Sequence, residues 1–535
     1  MNKNRTITHI LLGTLSLLFI GGCAPLGPDF TGMHNTPVPK KWQTHHTASE
    51  QPVVRWWRTF RDLTLNTLVE KAYRQNLDIQ SAGLRIAQAR AALGISQGLA
   101  FPQKQTLSGQ ASSTRSGLAD VATVGVNFDM GWELDIWGKY ARGIESAEAN
   151  LYASVASYDN IMVSVIAEVA RNYINYRTAQ ERLTYAKRNV IIQERVTKMT
   201  EIQFNSGNVS ELDMQQARTQ LYNTRTTIPA IELTKINARN ALALLLGTDA
   251  REIDKLLYRG DTDTYESANR FIAKHKGVIQ IKAGSNGLTG VNLIPKAKLN
   301  PRYKIDANLI TKRPDVKVAE YLVHSNSARI GSEMAKLYPS FTLFGNIGYN
   351  NDNKFGSWMS GNDPLSITIG PSFSWNIFNY GQIKNQIRLQ DAVFEESLVN
   401  YNKTVLSAVN EVENALSGYA LTLQQNKENK KAVEATIRAF NLSVIQYNDG
   451  LVSYQRLLTT VEKLTTTQDR FASIKGSVAL NAIALYKALG GGWQISRGHA
   501  YLTKETAARM KATVDWGSYL DGNMTKLPKG FYDGK

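Results

Sequence analysis

Side chains that could make or break bonds are scarce in this chain, and their spacing does not suit chemistry. The seven His stand at 9, 34, 45, 46, 275, 324 and 499, without the short intervals that bring two imidazoles to one metal. A single Cys excludes a thiolate cluster and an internal disulfide. His45 and His46 read as a solvated linker pair. No HExxH, P-loop or G-x-S-x-G stands in the strand and helix context it needs. Gly490-Gly491-Gly492 follows a helical pattern, as a stop signal does, whereas a phosphate cradle precedes a helix. No catalytic residue, no metal site and no dissociable cofactor is expected.

What remains is the thiol of Cys23. Lys3 and Arg5 precede an apolar run over 10–20, too short for the about 20 residues of a spanning helix, so it reads as a secretory signal. Ile20-Gly21-Gly22 leads into Cys23 and resembles a bacterial lipobox, where the thiol receives a diacylglycerol and cleavage leaves an acylated N-terminus. That covalent lipid is the one added group expected. Ala24 follows, instead of the Asp that favours inner-membrane retention, so the expected destination is the outer membrane.

The elements behind this anchor are long. Of 535 residues, 43% are apolar, 20% charged and only 14 are Pro, a globular composition with few breaks. The balance of 62 Lys and Arg against 45 Asp and Glu gives +17, which alone does not choose a partner; for an exported chain, nucleic acid is not expected.

The chain also repeats itself. An offset of 237 sets Asp78 on Asp315, Ala82 on Ala319, Ala91 on Ala328, Gly94 on Gly331 and Pro102 on Pro339. An offset of 243 then sets Trp132 on Trp375, Gly138 on Gly381, Phe204 on Tyr447, Gly207 on Gly450 and Ser210 on Ser453. The six extra residues fall between Pro339 and Trp375, and a period this long is a domain duplication. In the first half Val124, Val126, Phe128, Met130, Trp132, Leu134 and Ile136 alternate with polar or small residues. Ile367, Ile369, Phe373, Trp375 and Ile377 do the same in the second, with Pro371 as the misfit. A soluble sheet face has this period too, but a strand of about 13 residues exceeds the usual ~5–6 and suits a tilted membrane strand. Val124, Val126, Phe128, Trp132, Phe373 and Trp375 are then the lipid-facing residues. Partner strands are expected around Phe341 to Tyr349 and, more polar, over 104–113.

Past each strand the apolar spacing becomes three and four, with many Ala on the seam, which predicts long coiled-coil helices, from about 140 to 203 in the first half and running through Phe394 to Tyr419 in the second. Each ends in a matching turn, Gln203-Phe204-Asn205-Ser206-Gly207-Asn208-Val209-Ser210 and Gln446-Tyr447-Asn448-Asp449-Gly450-Leu451-Val452-Ser453. Gly there supplies a positive-φ helix end and Ser caps the returning helix, which runs to about 246 or 489. Pro229 is expected to kink or interrupt the first return. Four strands cannot close a membrane barrel, and an open edge in lipid costs several kcal/mol per unpaired backbone group. Other copies must complete it: two chains give eight strands, three give twelve.

With these motifs the chain resembles the TolC/OprM-type outer-membrane efflux channels, in their lipoprotein branch. The likeness spans about 15–493. It rests on Cys23-Ala24-Pro25-Leu26-Gly27-Pro28-Asp29-Phe30, Trp56-Trp57, Phe60, Asp62, Asn76-Leu77-Asp78, the stretch over 132–138, Arg313-Pro314-Asp315-Val316, Tyr338-Pro339-Ser340 and the stretch over 484–493. The resemblance implies an α+β membrane protein assembled as a homotrimer, with a twelve-stranded barrel continued by a periplasmic helical tunnel. It would be the passive exit duct of a tripartite pump carrying drugs or other toxic compounds, with a periplasmic adaptor and an inner-membrane transporter, of the RND type, as partners. By analogy the adaptor meets the tips at Phe204, Gly207, Ser210, Tyr447, Gly450 and Ser453, residues that also turn and cap the helices.

The sequence departs from that pattern in three places. Where the family carries aperture carboxylates beyond the second tip glycine, this chain has Arg456 and Thr459, and only Asp213, beyond the first, offers an acid. These three are the aperture candidates, and a weaker cation preference than is usual is expected. The stretch over 249–305 is longer than the family's connection between halves, and 494–535 lies beyond the matched region. The expected organisation is a signal peptide at 1–23, an acylated arm at 24–60, one half at 61–248, an equatorial connection at 249–305, the other half at 306–493 and an extension at 494–535. Two other readings stay open: a duct for type I protein secretion, separated only by the partner pump, and a lipid-anchored periplasmic coiled-coil scaffold, disfavoured by the alternating strands.

Overall fold

The structure, a computed structural model, describes residues 25–33, 54–116, 119–259, 264–270, 272–275, 278–281, 292–297, 308–352 and 365–520. Cys23 and residues 353–364 of the loop between the second half's strands lie outside them. A 3-10 turn at Trp56–Phe60 leads into α1 (Leu63–Gln75), α2 (Leu77–Gly98), the hairpin of β1 (Lys104–Ser116) and β2 (Ala119–Leu134), and the helices α3 (Lys139–Asn205) and α4 (Glu211–Leu246). The connection holds α5 (Ala250–Leu257), α6 (Tyr265–Asn269), β3 (Ile272–His275) and β4 (Val278–Ile281). The second half repeats the order as α7 (Asn308–Thr311), α8 (Pro314–Ala335), β5 (Ser340–Asp352), β6 (Leu365–Ser374), α9 (Gln382–Asn448) and α10 (Tyr454–Ala488). A last helix, α11 (Lys504–Thr513), lies in the extension.

At 67 residues each, α3 and α9 are of the order of 100 Å long. Their stability comes from packing side by side, because neither has a strongly one-sided apolar face. The main core gathers at the equator, where Trp56, Trp57 and Phe60 pack with Leu65, Ile166 and Tyr486. Trp56 stacks on Tyr486 with ring centres 5.2 Å apart. The helix α10 must stop there: Gly490 and Gly492 take positive φ, and a Cβ on Gly492 would press on Trp56, Trp57 and Ile166.

Other motifs are clamps. Asp62 accepts from Leu65 N at 3.0 Å to cap α1 and also binds the Tyr173 hydroxyl at 2.9 Å. Asn76 caps α2 through Ile79 N and donates to Leu245 O, holding the end of α4. The Arg313 guanidinium grips Asp315 twice, Glu411 on α9 and the Ala488 carbonyl at the end of α10. Deep between the two helical hairpins, Lys475 on α10 pairs with Glu181 on α3, whose second oxygen accepts from Leu293 N in the connection.

Pro229 does not interrupt α4, which runs unbroken from Glu211 to Leu246. The connection reaches along the helical hairpins: Ile272 and Ile281 join a cluster with Val433, Ile437 and Phe440, and Asn441 pairs its amide with both backbone groups of Ile281. The extension, described as far as residue 520, wraps α2, with Tyr501 edge-on to Tyr158 at 5.0 Å.

Beneath it, burial pushes the Asp159 carboxyl well above its usual range, with nearby Arg497 pulling the other way. The folded chain thus holds a proton that the unfolded chain has released. The associated stability is complete below the ordinary value of 3.8 and is lost as pH rises through the raised one. Asp159→Asn should flatten the fall of Tm between acid and neutral pH; a variant with the parent's slope would count against this assignment.

Candidate functional site

The four long strands form one antiparallel sheet in the order β1-β2-β5-β6, leaving β1 and β6 as open edges. Phe128 stands opposite Leu107 and Ile347, and Ile347 opposite Ile367; Trp132 faces Leu343, and Phe341 faces Phe373. Because side chains alternate along a strand, these residues share one face with Val124, Val126 and Ile369. From Phe128 at 40% to Leu107 at 73%, most of that face is exposed, while Trp132, Phe341 and Leu343 at its tunnel end are half-buried. This chain packs no core of its own against that face, and an exposed apolar surface of this size calls for an apolar partner or solvent. The opposite face is polar apart from Phe344, which lies between Gly131 and Gly370: Asn346 donates to Asp129 at 2.8 Å, Asn350 to Asn127 at 3.1 Å, and Lys104 lies 3.7 Å from Asp129. Apolar outside and hydrogen-bonded inside is the division a barrel strand makes between lipid and water.

Pro371 belongs to β6, opposite Leu343, at the sheet edge, where a missing N–H breaks no ladder bond to a further strand of the same chain. Both alternating runs overshoot their strands. β2 ends at Leu134 and β6 at Ser374, so Ile136, Trp375 and Ile377 lie beyond them. In the first half the reason is Asp135, whose carboxylate accepts from Tyr140 N at 3.0 Å and Ala141 N at 2.7 Å and so caps α3. The two Trp mark the tunnel end of the sheet. The Trp132 indole donates to Ala100 O at 3.2 Å and the Trp375 indole to Leu337 O at 3.0 Å, a polar tip on an apolar ring, as at a membrane interface.

The repeat shifts here by one residue. Lys104 opposite Gly131 corresponds to Ser340 opposite Ser374, so β1 maps onto β5 one residue short of the offset that Pro102 and Pro339 obey. The first half carries one more residue between its Pro and its strand, and the Gln103 side chain fills the gap by bonding Leu99 O, Glu133 O and Glu133 N. Where the halves join, Trp137 stacks on Tyr338 at 4.8 Å and donates to Pro339 O at 2.8 Å. Their repeat equivalents, Tyr380 and Phe101, are both bare.

At the far end of the helices the two tips turn alike. Gly207 and Gly450 take φ of 75° and 72°, and Asn208 N and Leu451 N close back on Gln203 O and Gln446 O at 2.9 and 2.8 Å. Phe204 and Tyr447 are half-buried, with Tyr454 behind Tyr447 at 6.0 Å. Ser210 and Asp213 form a reciprocal capping box: Ser210 Oγ takes Asp213 N at 3.2 Å, and the Asp213 carboxylate takes Ser210 N at 3.1 Å. The acid at an aperture position is thus engaged in a helix cap. Ser453 makes no side-chain cap: Arg456 N–H goes to the Ser453 carbonyl at 3.1 Å, and the Arg456 side chain, standing where the first tip has its acid, is exposed; Thr459 bonds back to Gln455 O. Asp135, Gln103, Arg142 and the Glu181–Lys475 pair escaped the sequence reading; only Asp135, just before a helix start, left a local signal.

Among the described residues no cluster of three or more His, Cys, Asp or Glu could hold a metal ion, and no helix is long and apolar enough to cross a membrane. The sequence profile described as outer membrane efflux protein matches residues 68–248 and 307–491, the two halves. Nodulation protein T of Rhizobium leguminosarum bv. trifolii is 28% identical over 81% of this chain and 86% of its own length. The probable outer membrane lipoprotein SilC of Salmonella typhimurium is 27% identical over 90% and 98%. The solved outer-membrane channel OprN superposes with a TM-score of 0.75 at 25% identity, covering 88% of this chain and all of its own. With its duplicated hairpins, its lipid-ready sheet face and a family match over both halves, the chain belongs to the outer membrane efflux protein family and serves as an efflux duct of the outer membrane.

Proposed function

We propose that three copies join edge to edge, β6 of one against β1 of the next, into a twelve-stranded barrel whose lumen continues between the helices as the exit of a tripartite efflux pump. The observation that carries this reading is the sheet with one exposed apolar face and two open edges. The pairing of β2 with β5 serves as template for the missing joint. Carried over by the repeat, it sets Ser374 opposite Ser108 and Trp375 opposite Leu107 of the next copy, polar side to polar side and apolar to apolar. It also brings Tyr380 onto Phe101, as Trp137 lies on Tyr338.

An inner-membrane transporter supplies the energy, of the RND class by resemblance, and a periplasmic adaptor holds the tips at Phe204, Gly207, Ser210, Tyr447, Gly450 and Ser453. A diacylglycerol on Cys23 is a second anchor beside the barrel. With Asp213 drawn into a cap and Arg456 exposed, the aperture conducts with little preference for cations.

The test uses Ser108→Cys with Ser374→Cys, which are the only free thiols once Cys23 is acylated. Oxidation should give covalent ladders ending at trimers, since paired strand positions fall within disulfide reach. In a planar bilayer the linked species should show a reversal potential near zero under a KCl gradient. A ladder ending at dimers overturns the twelve-stranded barrel, and a strongly cation-selective pore overturns the aperture reading.

A further inference from the structure

The two halves cover one equivalent groove with different parts of the chain. On α8, Gly331 faces residues 25–33 of the arm: a Cβ there would collide with the Leu26 carbonyl, and one on Gly27 would lie 2.5 Å from Gly331 Cα. Arg142 on α3 closes the other side, donating to Leu26 O at 3.0 Å and to Asp29 at 2.5 Å. The arm is thus a wedge in the seam between α3 and α8. Its equivalent on α2 is Gly94, and there the C-terminal extension takes the place: a Cβ on Gly94 would collide with the Tyr519 hydroxyl, and one on Gly83 with the Tyr501 carbonyl.

This second seam lacks its other wall. The repeat partner of α3 is α9, and in this chain the barrel end of α9 is bare. Arg142, Ser146, Ala149 and Ala153 on α3 are buried, whereas their equivalents Asn385, Leu389, Ala392 and Glu396 are exposed. Charges of both signs are exposed on each side, Lys504, Glu505, Arg509 and Lys511 on the extension and Arg388, Asp391, Glu395 and Glu396 on the bare face of α9, so opposite pairs are available across the joint.

We infer that the extension over 494–520 is a subunit strap, lying between α2 of its own chain and α9 of a second copy and sealing that joint as the arm seals the internal one. Tyr519 meets Asn385 of the second copy where Leu26 meets Arg142. The inference rests on the trimer reading. It goes beyond it, because the extension lies outside the family match, which ends at 491.

Tyr519→Cys with Asn385→Cys should be joined between chains by a short bifunctional maleimide, since a contact made by the tyrosine hydroxyl sets the two Cα atoms beyond direct disulfide reach, and a chain ending at Ser496 should form trimers that dissociate about ten-fold faster in detergent. The truncated chain carrying Ser108→Cys and Ser374→Cys reports separately whether barrels still close. Ladders from the barrel pair, with none from the Tyr519 pair and unchanged trimer lifetime, overturn the strap alone. Absence of ladders from both pairs in the full chain overturns the trimer reading and the strap with it.

Discussion

Ile347→Lys is expected to cost about 2–4 kcal/mol of assembly stability, the scale for a cation at mid-bilayer on the lipid face of a barrel. Ile347 sits near the middle of β5, half-exposed, between Phe128 and Ile367. Neither neighbour offers a hydrogen bond, so the ammonium must bend the lipid or climb to an interface. Trp132→Lys, at the tunnel end of the sheet, should cost only about 0–1 kcal/mol beyond the lost indole contact, because a lysine there reaches water. Thr368→Lys is the control, since Thr368 pairs with Asn346 and faces the polar side. Denaturant titration of folding into vesicles reads all three. A larger penalty for Thr368→Lys than for Ile347→Lys would mean that the lipid and water faces have been exchanged, and equal penalties that the sheet does not divide lipid from water.

Lys475→Ala should destabilise the helical tunnel by about 3–5 kcal/mol, the penalty for leaving a buried charge without its partner. Glu181 is fully buried and Lys475 nearly so. Burial lowers the Lys475 pKa, and the Glu181 carboxylate opposes that shift, so neither group tolerates solitude. Glu181→Gln with Lys475→Met should recover most of the loss, because the amide oxygen still accepts from Leu293 N. Glu181→Leu with Lys475→Met should recover less, as Leu293 N–H is then orphaned. The ordering of these variants in thermal unfolding is the check; a mild Lys475→Ala would show that water reaches the pair.

The readable parts of this fold were local. Alternation placed β2 and β6 to within a few residues, and glycine followed by serine three residues on placed both tips, because period and turn chemistry act within a few residues. What stayed hidden depends on long-range fit. Glu181 and Lys475 are 294 residues apart, and nothing near either marks the other. The one-residue shift at Gln103 shows only once strands pair, since a slip of one reverses a strand's faces. Asp213 looked like a free acid until the turn brought it back to Ser210 N. Pro229 was overridden because α4 is held along its length by contacts such as Leu221, Ile228 and Ile231 on α3.

The bare apolar side chains at the strand-to-helix corner fix the order of events before the duct exists. Phe101, Ile377, Phe378 and Tyr380 of a lone copy have no lipid or neighbour to cover them, and the open strand edges add hydrogen-bonding groups equally free to find a wrong mate. On the proposed trimer, a lone copy is an adhesive intermediate whose yield depends on how soon it meets lipid and two siblings. Slow synthesis should favour loss to off-pathway clumps, and a burst of synthesis near the membrane should favour closure.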